Sequence, residues 1–177
     1  MKLLAGTDKG IVLFALKDEE WKLDHIFFKG LPVGAFHCGH QNRWWVAINH
    51  KHWGSKIYLS TDEGEEFNEI PSPQFKAKSS HRLRSIWTIN SNGHDIYLGT
   101  EPAAIFKFNG EHFEELEQLS NHPSRTAWQG GGKGSKNPFL HSILFHPLDP
   151  QEIMVGISCA GVFQSKDAGQ SWKAMNE

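Results

Sequence analysis

An internal repeat constrains this chain more than any other feature. The segment Ile57–Phe67, Ile-Tyr-Leu-Ser-Thr-Asp-Glu-Gly-Glu-Glu-Phe, aligns with Val162–Trp172, Val-Phe-Gln-Ser-Lys-Asp-Ala-Gly-Gln-Ser-Trp. In both, an alternating strand pattern runs into S-x-D-x-G-x-x-aromatic. Two degenerate copies with shortened turns occur at Val12–Trp21 and Ile105–Phe113. The closing aromatics Trp21, Phe67, Phe113 and Trp172 fall roughly 45 to 60 residues apart, the length of a four-stranded propeller blade.

Each copy follows a short apolar run: Lys2–Thr7, Trp44–Asn49, Asp95–Thr100 and Glu152–Ser158. Runs of this length and composition read as strands buried on both faces. Three of them are preceded by a further strand pattern, at Ala35–Cys38, Leu83–Ile89 and His141–Phe145, closed by turn-rich residues. A last strand follows each anchor aromatic. With the strands of a blade labelled A to D, the chain reads B-C-D and then A-B-C-D three times. Phe113, Leu116 and Leu119 recur every three residues, so Glu111–Ser120 also fits a helix; a D strand keeps the frame, and the tail of the segment stays open. The expectation is an all-β propeller of antiparallel four-stranded blades forming one segment, 1–177. About four blades are present, near 1–30, 31–73, 80–120 and 139–177. The first lacks its A strand, and the ring is incomplete or completed by a partner.

Composition agrees with one folded unit. The 177 residues are 38% hydrophobic, enough for a core and too much for disorder. Eighteen Lys and Arg against 20 Asp and Glu offer no basic field for nucleic acid. Cys38 and Cys159 stand apart with no C-x-x-C, which suggests neither a disulfide framework nor a cysteine zinc site. No apolar run reaches membrane length and Met1–Gly10 is too short of apolar residues for a signal peptide, so the expectation is a cytoplasmic protein with no membrane partner.

The repeated turn has a structural reason at each position. In Ser60, Asp62, Gly64 and Phe67, and in Ser165, Asp167, Gly169 and Trp172, the carboxylate can accept from turn N–H groups while glycine takes positive φ. The aromatic packs between neighbouring strands. These acids therefore read as structural.

On these two boxes the chain resembles the Asp-box (BNR) repeat propellers, which include sialidases and sialidase-like or glycosyl-hydrolase-like bacterial proteins. Further stretches resemble one bacterial branch of that group: Gly6–Gly10, Gly99–Phe106, His122–Arg125 with Trp128, and Val155–Phe163. Members of that branch are about twice as long, so the resemblance implies the N-terminal half of a ring. The chain departs from true sialidases: the Phe/Tyr-Arg-Ile-Pro motif is missing, and the only tyrosines, Tyr58 and Tyr97, lie inside strand patterns.

In a propeller the D–A and B–C connections share one face, opposite the Asp boxes. That face is expected to collect His50, His52, Trp53, Arg82, Arg84, His122, Arg125 and Trp128 as ligand-binding residues, with Asp8 and Glu101 as its acids. The connections Pro71–Arg84 and Ser120–Leu140 are long for this architecture, and Gln129–Gly134 reads as a hinged lid or a linker. His50 and His52 share a strand face if the strand continues through them, whereas His37 and His40 are expected to point apart. No third ligand is set by spacing, so no metal and no cofactor is expected.

Glycoside hydrolysis needs two carboxyls about 5–9.5 Å apart. Asp8 and Glu101 come from blades one and three, which are not expected to meet. Arg82, Arg84 and Arg125 suit an anion, and Trp53 or Trp128 can stack on a sugar. The leading reading is a loop face that binds a carbohydrate, an anionic ligand or a partner. Alternatives are a glycoside hydrolase of exo-sialidase type using Asp8 or Glu101, and an assembly or scaffold protein. A second protein chain, or another copy of this one, is expected to complete the propeller.

Overall fold

The computed structural model describes residues 1–76, 81–131 and 135–176. Strands β1 (Lys2–Thr7), β2 (Gly10–Lys17) and β3 (Glu20–Phe27) form a three-stranded sheet in chain order. Three four-stranded sheets follow. The second holds β4 (Val33–Cys38), β5 (Trp44–His50), β6 (Gly54–Ser60) and β7 (Asn68–Ile70). The third holds β8 (Ser85–Ser91), β9 (Ile96–Glu101), β10 (Ile105–Phe108) and β11 (Phe113–Glu115). The fourth holds β12 (Leu140–His146), β13 (Asp149–Ile157), β14 (Gly161–Ser165) and β15 (Lys173–Ala174). All pairings are antiparallel meanders, and the first sheet has no counterpart of β4, β8 and β12, as the strand pattern anticipated. The ambiguous tail of Glu111–Ser120 resolves into both expected forms. After β11 comes a one-turn helix, Glu117–Ser120, whose Leu119 is buried.

Each sheet packs face to face on the next in chain order, with the first strands of the complete blades nearest the common axis. The core is correspondingly divided into three layers. Ile11, Val46 and Ile48 lie between blades one and two, Ile57, Leu98 and Phe106 between two and three, and Ile105, Ile153 and Phe163 between three and four. Burying each such side chain contributes about 1.5–3 kcal/mol. Blades two and three are each sandwiched between neighbouring blades, so β5 and β9 are buried on both faces and read as continuous apolar runs.

The two complete boxes adopt one hydrogen-bond pattern. Ser60 Oγ donates to Asp62 Oδ1 at 2.6 Å and accepts from Gly64 N at 2.8 Å, while Asp62 Oδ1 accepts from Glu66 N at 3.1 Å. In the second box the corresponding distances are 2.8, 2.8 and 2.8 Å for Ser165, Gly169 and Ser171 N. The hydroxyl of Ser60 in the first box, and that of Ser171 ahead of Ser165 in the second, hold Asp62 and Asp167 below the usual carboxylate range, with turn N–H groups adding to it. Gly64 and Gly169 sit at φ +94° and +90°, against Trp44 and Leu116, where a Cβ would collide. Phe67 packs edge-on against Phe27 and Phe28 of the preceding blade.

The first blade differs from the alignment. Phe108 pairs with Phe113, and Phe14, at the equivalent place in the first blade, pairs with Leu23. The longer β2–β3 hairpin, bulged after Leu13, leaves Trp21 two residues before the anchor position, which Leu23 occupies.

Candidate functional site

The innermost strands of the three complete blades share an irregularity. Between Val33 and Ala35, between Ile86 and Thr88, and between Leu140 and Ser142 the register slips by one residue at equivalent positions. The extra residues are Gly34, Trp87 and His141. A bulge leaves its extra residue outside the ladder and re-aims the side chain. Trp87 is thereby 40% exposed although it lies within a strand of the inner layer. Its indole stacks on Phe139, with centroids 4.0 Å apart and planes at 11°, and Phe139 meets His141 edge-on.

Beneath this platform lies Glu101, at the end of β9 and only 9% exposed. Its Oε2 accepts from Ser85 Oγ at 3.2 Å and from Trp87 Nε1 at 3.4 Å; its Oε1 accepts from Ser135 Oγ at 2.6 Å. Arg84 Nε stands 3.8 Å from the same Oε1. Because the arginine is largely exposed, this ion pair adds little; the hydroxyl and indole donors hold the buried carboxylate. Three donors converge on the two oxygens, so Glu101 is built as an acceptor.

Asp8, from the β1–β2 turn, lines a cleft of about 260 Å³ with Pro32, Gly34, Asn49, Ser85 and Trp87. Ser85 and Trp87 are also the two residues that hold Glu101 Oε2. Asp8 of blade one and Glu101 of blade three therefore share Ser85 and Trp87 as neighbours. Three strands bring this about. Asn49 of β5 donates from Nδ2 to Ile86 O and accepts at Oδ1 from Ile86 N, drawing β8 against β5 beside Gly34. A Cβ on Gly34 would lie 2.0 Å from Asn49 Nδ2.

The remaining residues expected on this face fall into separate groups. His50 stacks on Trp53 at 3.8 Å in the exposed β5–β6 turn, and His52 N donates to His50 Nδ1. Arg82 donates from Nη1 to its neighbour His81 O at 3.0 Å. His122, Arg125 and Trp128 form a closed knot around the 3-10 turn Pro123–Ala127. Ser124 Oγ bonds both His122 Nδ1 and Trp128 Nε1, the indole and the imidazole pack on Phe163, and Arg125 Nη1 donates to Ala103 O at 2.7 Å while lying over Trp128. Burial of the Arg125 guanidinium lowers its pKa, with Glu115 opposing. Ser124 thus ties the imidazole to the indole, and Arg125 is anchored on the backbone of the third blade.

His37 and His40, expected to diverge, line one cleft of about 180 Å³ with Ser91 and Gly93 because β4 ends between them. Burial, with His40 adding repulsion, holds His37 below the usual imidazole range. Among the described residues no group of three or more His, Cys, Asp or Glu gathers around a point, and no helix is long and apolar enough to cross a membrane. Residues 77–80 of the Pro71–Arg84 connection and 132–134 of the Gln129–Gly134 stretch lie outside the described residues. Trp87, Ser85, Phe139 and Ser135 were absent from the sequence-based set. A tryptophan in a buried strand reads as core, and only the bulge turns it outward. Asn49 had a legible signal, since Asp8, Asn49 and Glu101 each stand two residues on from the equivalent Gly6, Ala47 and Gly99.

No protein-family model matches this chain, and no curated protein matches it. Solved structures do. The GH74 xyloglucanase from Xanthomonas campestris superposes with a TM-score of 0.68 at 18% identity over 98% of this chain. PorZ, a surface component of the type-IX secretion system of Porphyromonas gingivalis, superposes at 0.56 and 16% identity, again over 98%. The chain spans 28% and 25% of the length of those two proteins. At such identities the likeness is one of fold, and with the sheet order it establishes an all-β propeller-type architecture of four antiparallel blades, the first with three strands.

Proposed function

We propose that the chain, 1–177, is one Asp-box (BNR) propeller segment of sialidase-like type that binds a carbohydrate at its inner rim without cleaving it. The stacked pair Trp87–Phe139 over the Asp8 cleft carries this reading. A flat, half-exposed indole suits the apolar face of a sugar ring, and Asp8 and Ser85 in the same cleft supply polar groups for its hydroxyls. The first superposed protein is itself named for a polysaccharide substrate, which supports the same ligand class. Glu101 fits a positioning part better than a catalytic one: its lone pairs are engaged by donors, whereas a general acid must give up a proton. Cys38 and Cys159, both exposed and free, accord with a reducing, cytoplasmic setting.

Titration with xyloglucan-derived and sialylated oligosaccharides, followed by tryptophan fluorescence and calorimetry, tests this reading. Binding should be lost in Trp87→Ala with the circular dichroism spectrum kept; binding that survives Trp87→Ala at full strength refutes it. The hydrolytic alternative rests on Asp8 and Glu101 flanking the same indole. It requires release of reducing sugar that Asp8→Asn and Glu101→Gln both abolish.

A further inference from the structure

The repeat allows each blade face to be compared with its equivalents. Register pairs Gly6 with Ile11, Ala47 with Ile57, Gly99 with Ile105, and Gly156 with Val162, so the second members occupy one position in the four blades. Ile11, Ile57 and Ile105 are 1%, 0% and 0% exposed because the following blade covers them; Val162 is 38% exposed. Met154 is likewise exposed where its equivalents Trp45 and Tyr97 are buried, and Leu144, paired with Met154, extends the same apolar face. The first blade shows the opposite half. Leu3 is exposed where Ile96 and Ile153 are sealed by the preceding blade, and Phe14, paired with Leu3, and Leu23, paired with Phe14, continue that face.

The chain thus carries both halves of an interface it already forms three times, one at each end of the blade series. We infer that the open face of the fourth blade docks on the open face of the first blade of a second copy, head to tail. Made twice, this contact closes eight sheets about one axis, within the roughly four to eight blades that propellers adopt. The occupant is another copy because the two faces are complementary in the sense the internal interfaces define, and within one chain both stand open, Val162 at 38% and Leu3 at 49% exposure. The inference is independent of the carbohydrate reading.

The internal interface supplies the test. Trp45 meets Phe108 at 5.0 Å between blades two and three, and the equivalent pair across the inferred contact is Met154 of one copy with Phe14 of the other. In a chain freed of its own thiols by Cys38→Ser and Cys159→Ser, Met154→Cys and Phe14→Cys chains are co-expressed and treated with a short bismaleimide. The expected result is a covalent species of twice the chain mass from the mixture and none from either variant alone. Leu144→Asp, on a side chain already exposed, should abolish that species and bring the light-scattering mass to that of a monomer, with the circular dichroism spectrum unchanged. A monomeric mass for the parent chain at every concentration, cross-linking of either variant to itself, an unrelated protein occupying the face, or a dimer that survives Leu144→Asp overturns the inference.

Discussion

Asn49 holds Ile86 of the next blade by both backbone groups, its Nδ2 2.9 Å from the carbonyl oxygen and its Oδ1 3.0 Å from the amide nitrogen. Ser55 Oγ donates to the same Oδ1 at 2.9 Å, so the amide orientation is determined by its partners. This single side chain joins the second blade to the third at the level of the Asp8 cleft. It needs the space that Gly34 leaves.

Asn49→Ala should therefore cost about 1–3 kcal/mol, because it leaves a partly buried N–H and C=O without partners. Gly34→Ala should cost a similar amount by displacing the Asn49 amide. Urea denaturation should show that the double variant loses clearly less than the sum of the two, since both remove the same clamp. Additive losses would place the two residues in separate interactions.

The Asp boxes make stability depend on acid pH. Asp62 and Asp167 have folded-state pKa values below that of the free side chain, so their contribution is fully present above the unfolded value near pH 4 and is lost as pH falls through the folded values. The urea midpoint should fall below about pH 4 in the parent chain. In Asp62→Asn/Asp167→Asn it should start lower and change less over that range.

Gly64→Ala and Gly169→Ala should each destabilise by about 1–3 kcal/mol, since both impose a Cβ at positive φ against a neighbouring side chain. Thermal melts would resolve this. An unchanged melting temperature would mean that the box turn relaxes around the added methyl.

Arg125→Ala should behave as a stability variant, losing about 1–3 kcal/mol through its bond to Ala103 O and its contact with Trp128. Oligosaccharide affinity at 25 °C should stay within a factor of about two. A large loss of affinity in a variant of unchanged melting temperature would restore Arg125 to the binding face.

Much of the architecture was legible in one dimension. Burial on both faces left continuous apolar runs, the boxes required Ser, Asp and Gly at set spacing, and the three strands of the first sheet showed as a B-C-D pattern. The candidate site was legible only in part. Asp8, Arg84 and Glu101 could be assigned to the loop face, but Arg125 and Trp128 carry side chains equally suited to a ligand and to a closed packing knot, and composition does not distinguish the two uses. Trp21 was aligned by its aromaticity, whereas the register, shifted by a bulge and a longer hairpin, puts Leu23 in its place.

By itself, then, the sequence determined the blade period, the strand order and the turn chemistry, because these arise from alternation, backbone preference and hydrogen bonds only a few residues long. Tertiary structure alone decided that Trp87 faces outward over Phe139, that Asp8 and Glu101 flank it, and that apolar faces remain open at both ends of the series. A bulge depends on the partner strand and a covered face on the neighbouring blade, and both relations join residues far apart in the chain.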